Sequence, residues 1–295
     1  METGFVVVEK VQGKSTVTRC FSKYPLKFII PRKAGSSKAD VVWIYSLTYG
    51  GGIVSGDYIS CRLTIGDGCS TVLTTQASTK VYKSVGSKCS EQFLEAQIGS
   101  NALLVVIPDP VTCFSTARYH QKQVFRVVLD SSLVIVDWIT SGRHERGEKW
   151  NFEFYKSINH IFLEEDQPLF LDSVLLEKGG FTSIAERMQE YQVIAMFILM
   201  GPKLKNVQNQ VQEDVKRMMS DQFYVPSGCR TIVDSNHVLA KPTLIASCST
   251  FGPKGIGMVV RIAALSTESV YKFLRHQLAS LEPLLGASPY YQTCV

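Results

Sequence analysis

A chain of 295 residues with 45% hydrophobic composition is long and apolar enough to bury a real core, which excludes a disordered protein. Its 31 Lys+Arg stand against 26 Asp+Glu, a mild excess spread along the chain without a basic block, so neither nucleic acid nor acidic lipid is an expected partner. The N-terminus METGFVVVEKVQGK has no leader-like pattern, and the longest apolar run, 193–200, is far short of the roughly 20 residues that span a bilayer; a soluble, cytoplasmic chain with no membrane partner is expected.

The eight cysteines show no CxxC spacing and no clustering, which argues against a zinc module and against a disulfide scaffold. In chain order, the first unusual stretch is LTYGGGIVSGD at 47–57. Gly50, Gly51, Gly52 and Gly56 lie between two β-type segments and predict a turn with φ > 0 or a close backbone approach. That turn delivers Asp57 to a defined position, either as a solvated turn residue or as part of a site. Next, 58–65 alternates cleanly, with Ile59, Cys61, Leu63 and Ile65 on one face. Further strands are expected at 71–75, 92–98, 102–107, 121–129, 133–139, 150–154, 159–163, 169–176, 193–199, 231–239 and 256–265. Such short, evenly spaced strands predict a mainly β sandwich, barrel or solenoid.

Two stretches switch to helical period: 202–222, opened by Pro202, and 266–285, with Ser266 as N-cap and Gly286 closing it. The expectation is a single domain, 1–295, with a β-rich body over 1–200 and helical elements at 201–222 and 266–285.

Familiar catalytic motifs fail. Gly13-Lys14-Ser15 resembles the end of a phosphate-binding loop, but the required first glycine falls on Val8. No HExxH, GxSxG or kinase signature occurs, and the five histidines never form a close pair. Three polar clusters at strand ends remain: LTTQASTKVYKS at 73–84, IPDPVTCFSTARYHQ at 107–121 and DWITSGRHERGEKW at 137–150. Asp137 continues the apolar run 133–136, so it is buried and partnered or it faces a polar cavity.

Taken together, YGGGIVSGD, LTTQASTKVYKS, PDPVTCFSTARYHQ and DWITSGRHERGEKW resemble, in order and spacing, the urease accessory protein UreD (UreH) family, in its plant-like form. The likeness covers most of 1–180. One departure is Gly142-Arg143-His144-Glu145-Arg146-Gly147-Glu148, which keeps the outer residues of the bacterial GRPASGE pattern and changes its middle.

The resemblance implies a β-helix-like, non-enzymatic maturation chaperone with a small helical part. Its implied partners are the urease apoprotein, a UreF-type accessory protein and, through it, a UreG-type GTPase, in a two-fold heteromeric complex. No cofactor is held tightly; nickel is in transit through an internal passage rather than bound at a fixed metal site. Weak oxygen ligands suit such a passage, whereas a His/Cys cage would trap the ion. By matching, the candidate lining residues are Asp57, Asp137, Thr79, Ser84, Asp109, Asp172 and Glu177. Asp57 as a turn cap and Asp137 paired with Arg143 or Arg146 are the structural alternatives. The glycines are expected to be structural, and partner contact is assigned to Arg118, Tyr119, His120, Arg143, His144 and the helical C-terminal face. A competing reading from the residues alone is a β-solenoid or sandwich hydrolase using Asp57 and Asp137 as a carboxylate pair.

Overall fold

The computed structural model describes residues 2–31, 39–179, 181–223 and 242–290. The first strands are β1 (Gly4–Val11), β2 (Lys14–Ser22), β3 (Leu26–Ile29), β4 (Val42–Thr48), β5 (Tyr58–Ile65) and β6 (Ser70–Thr75). Next come β7 (Thr79–Val81), β8 (Ser90–Ile98), β9 (Leu103–Val106), β10 (Val111–Cys113), β11 (Arg118–Arg126) and β12 (Ser132–Thr140). The last are β13 (Phe154–Leu163), β14 (Gln167–Glu177), β15 (Val193–Met200), β16 (Leu244–Phe251) and β17 (Gly257–Ala264). Among the described residues four α-helices join them: α1 (Ile184–Met188), α2 (Lys205–Phe223), α3 (Thr267–Leu278) and α4 (Glu282–Leu285).

From β4 to β13 the chain alternates between two sheets, each coil adding one main strand to each, while the short β7 and β10 pair with each other beside β12 in the second sheet. The first sheet runs β14-β13-β11-β8-β5-β1-β2, and the second β16-β17-β15-β12-β9-β6-β4-β3. Because successive coils repeat the same direction, β1, β5, β8, β11 and β13 pair in parallel, as do β4, β6, β9 and β12. This is the β-helix-like arrangement, with helices added in the C-terminal part.

Burial follows from the layers. The inner faces of the two sheets share one apolar core, while the outer face of the second sheet packs on the helices in another. The second sheet is therefore covered on both sides, which is why its strands read as near-continuous apolar runs. Every residue of β12 is buried: Leu133, Ile135 and Ile139 face the first sheet, and Val134, Val136 and Trp138 face the helices. On α3, Val270, Phe273, Leu274 and Leu278 supply the apolar stripe, at about 1.5–3 kcal/mol for each fully buried side chain. The Ser266 hydroxyl accepts from Ser269 N–H at its start, and Gly286, in the left-handed region, stops the chain after α4.

Some expectations are corrected. Residues 150–154 form no strand before Phe154; Trp150 sits at φ 57° with its indole donating to the Tyr191 carbonyl at 2.9 Å. The strand expected at 121–129 is β11, which begins earlier, at Arg118 within the polar cluster, and ends at Arg126. The expected strand at 231–239 lies outside the described residues. Helix α1 was not anticipated, although Ser183 and Glu186 form a capping box that marks its start.

The glycine stretch is a tight connection. Gly50, Gly51 and Gly56 have φ of 75°, 73° and 81°, whereas Gly52 is extended and lies so close to β7 that a Cβ there would meet the Lys80 carbonyl oxygen at 2.7 Å. Gly50 has open space around it, so its substitution carries only the left-handed penalty of about 1–2 kcal/mol. Denaturant unfolding is expected to show Gly52→Ala as more destabilising than Gly50→Ala, because backbone cannot move aside as a side-chain end can.

Candidate functional site

The period of two that buries Leu133, Ile135 and Ile139 also turns Asp137 into the space between the sheets, where it is 8% exposed. On the opposing sheet the same period turns Tyr119, Gln121, Gln123 and Phe125 of β11 inward, and Tyr155, Ser157, Asn159 and Ile161 of β13. Register then aligns them: Gln92 of β8 pairs with Gln121 and Gln121 with Ser157, while Gln123 pairs with Asn159 and Asn159 with Asp172 of β14. Two polar rows thus cross an otherwise apolar interior.

Asp137 is held by these rows. Gln121 Nε2 donates to its Oδ1 at 2.6 Å; Ser157 Oγ and Asn159 Nδ2 donate to Oδ2 at 2.5 and 2.6 Å. Gln123 Nε2 in turn donates to Asn159 Oδ1 at 3.0 Å, and the Tyr119 hydroxyl to Gln92 Oε1 at 3.0 Å. Burial pushes the Asp137 carboxyl above its ordinary range; the three donors pull the other way, and the charge of Asp172 adds to the rise. Arg143 does not pair with it. That guanidinium instead bonds Glu148 and stacks over Phe114, 4.0 Å from the ring centroid.

Asp137 stands between spaces that share wall residues. One cavity, of about 70 Å³, has Thr74, Thr75, Thr79, Asp109, Gln121 and Asp137 in its wall. At its far end Thr74, Thr75 and Asp109 also border a groove of about 1060 Å³ beside α3. There Asp109 accepts from the Tyr271 hydroxyl at 2.6 Å, and burial raises its pKa despite that donor and Thr75. On the other side, Asp137 and Trp138 also border a cavity of about 220 Å³ that reaches Ser157, Met196, Asp172 and Arg261.

Of the residues singled out from the sequence, Asp137, Asp109, Thr79 and Asp172 therefore line neighbouring cavities that share wall residues. Asp57 lies elsewhere: its Oδ2 accepts from Val54 N–H at 2.8 Å and closes the glycine turn. Asp57 lines none of these three cavities, so they do not bring it together with Asp137 as the carboxylate pair of the hydrolase reading requires. Ser84 Oγ accepts from Arg118 N–H at 2.8 Å, and Glu177 is exposed at the end of β14; neither lines these cavities. Tyr119 is wholly buried, which corrects its assignment to a partner surface. Arg118 and His120 point to the outer face, Arg118 beside Glu153 and His120 edge-on to Phe93; His144 is exposed on a short 3-10 turn.

Sequence reasoning missed Gln121, Gln123, Ser157, Asn159, Tyr271 and Arg261. A signal existed in β11, where Gln121 and Gln123 are in phase with Tyr119 and Phe125, and the charged Arg118, Lys122 and Arg126 are out of phase. Among the described residues no group of three or more His, Cys, Asp or Glu side chains is placed to hold a metal ion, and no helix is long and apolar enough to cross a membrane.

Fold and interior together define a β-helical protein organised around a buried, hydrogen-bonded carboxylate with cavities on both sides. Comparison with known proteins shows that the chain belongs to the UreD urease accessory protein family, whose model matches residues 3–295. It is similar to urease accessory protein D of Arabidopsis thaliana, at 69% identity over 98% of this chain and 100% of that one. Urease accessory protein D of Oryza sativa subsp. indica is 65% identical over 98% of this chain and 95% of its own length. The UreD of Anaeromyxobacter sp. (strain Fw109-5) is 31% identical over 98% of this chain and 89% of its own.

The network predicts a stability pattern. Asp137→Ala removes the acceptor of three buried donors and is expected to cost about 1–3 kcal/mol in denaturant unfolding; Asp137→Asn keeps the shape and loses less. With its native pKa raised, Asp137 binds more protons folded than unfolded above the unfolded value of about 3.9, so its contribution declines as pH rises through that window. The Asn variant does not titrate there. Its stability relative to the parent is expected to improve with rising pH and then level off.

Proposed function

We propose that this chain is a non-enzymatic scaffold for urease maturation, through whose interior nickel passes as cargo on its way to the urease active site. The observation that carries this reading is the placement of Asp137, a buried carboxylate with no cationic partner among the described residues, between cavities bordered by Asp109 on one side and Asp172 on the other. Family membership and the plant and bacterial relatives support the assignment to urease. The implied partners are the urease apoprotein, a UreF-type protein and a UreG-type GTPase reached through it, in the cytoplasm.

The chemistry of the interior supports a conduit over a store. Asp109, Thr79, Asp137, Ser157 and Asp172 offer oxygen, spaced along the cavities rather than gathered on one ion, so each step binds weakly enough to release. A hydrogen-bonded carboxylate at the narrowest cavity also has a task for each protonation state: charged, it attracts a cation; protonated, it rests at low cost. Asp57, Ser84 and Glu177 have no part in this path.

The test is urease activation reconstituted from apo-urease, nickel, GTP and the UreF- and UreG-type partners. Activation is expected to require this chain and to fall roughly tenfold or more with Asp137→Asn, the scale of losing a group that tunes a metal path, while the complex still assembles on size exclusion. Asp57→Asn, away from the cavities, is expected to leave activation near the parental level. Full activation with Asp137→Asn would leave a scaffold without an acidic passage.

A further inference from the structure

The cavity of about 220 Å³ on the far side of Asp137 has a cation built into its wall. In the second sheet, Asp137 pairs in register with Met196 of β15, and Met196 with Arg261 of β17. In the first sheet the matching row ends Asn159 to Asp172, on the terminal strand β14. Arg261 spans the gap between the sheets, and its Nη2 donates to Asp172 Oδ1 at 2.6 Å. The Asp172 side chain is 10% exposed and that of Arg261 54%, so the acid faces inward and the guanidinium stands at the rim.

We propose that Arg261 is a latch at this end of the passage, a resident guanidinium that occupies Asp172 and keeps divalent cations from settling beside Asp137 until it is drawn away. The proposal rests on the passage reading and deepens it. An ion pair with a half-exposed partner is weak enough to exchange, and the planar guanidinium re-forms it readily against a carboxylate. A carboxylate presented by a docked acceptor at the rim is the group that would compete for Arg261. Release of the latch leaves Asp172 and Asp137 without a cation along one otherwise mainly apolar cavity, so a divalent ion can bind weakly beside each carboxylate in turn. The latch therefore couples cargo movement to the presence of a receiver.

The experiment measures nickel(II) binding to the full chain by equilibrium dialysis, with thermal unfolding as the check on folding. Arg261→Met and Arg261→Gln are two independent ways to remove the cation from an exposed position. Either is expected to raise nickel affinity at least tenfold over the parent, and adding Asp172→Asn or Asp137→Asn to be enough to abolish the gain. Parent-like nickel affinity in folded Arg261→Met and Arg261→Gln overturns the latch, as does a gain that survives Asp172→Asn. If the latch fails in this way while Asp137→Asn still loses urease activation, the passage stands without it. Activation indifferent to Asp137→Asn overturns both.

Discussion

A carboxylate enclosed between two sheets must be met by donors, and that requirement shapes the interior of this protein. An isolated buried charge would be prohibitive, and even a neutral carboxyl without partners would cost as much as a lost hydrogen bond or more. Here the cost is offset by Gln121, Ser157 and Asn159, themselves held by Gln123 and by each other. None of these groups reaches Asp137 through sequence proximity. They reach it because parallel coils place position after position in register, so that a polar residue on β11 finds another on β13.

The same architecture explains why space remains beside Asp137. Its sheet is covered on the other face by α2 and α3, and Trp138 is packed against Tyr271 and Tyr290 with its indole donating to the Pro108 carbonyl. The β12 strand is thereby fixed from behind and cannot collapse forward onto the polar rows. Polar side chains of fixed length then hold the sheets apart, and cavities with a few polar groups in otherwise apolar walls persist where a wholly apolar core would have closed. On one side the space approaches a groove under α3; on the other it reaches the free end of the sandwich, where β14 and β17 are bridged by Arg261 and Asp172.

The residues that stand out most in the linear chain turn out to serve geometry. The glycines at 50–52 permit a turn that presses against β7, and Asp57 closes it. The charged run around Arg143 folds on itself through Glu148 and Phe114. Its conspicuous composition reflects a tight connection between β12 and β13, whereas the inconspicuous glutamines and Asn159 meet the buried acid. Composition draws attention to loops because loops are where special backbone and charge must be accommodated.

What the sequence by itself determined was local and periodic. The alternation at 58–65 is β5 to the residue, Pro202 and Ser266 mark helix starts, and the inward direction of Asp137 follows from the phase of its own strand. Four ordered motifs sufficed to indicate the family. Only the tertiary structure decided which side chains meet Asp137, that Asp57 does not, and that Arg261 closes on Asp172. Period fixes a side chain's face within one strand, but the partner across the sheet depends on coil register. The partner across the sandwich depends on how two sheets stack, and neither is encoded in spacing along the chain.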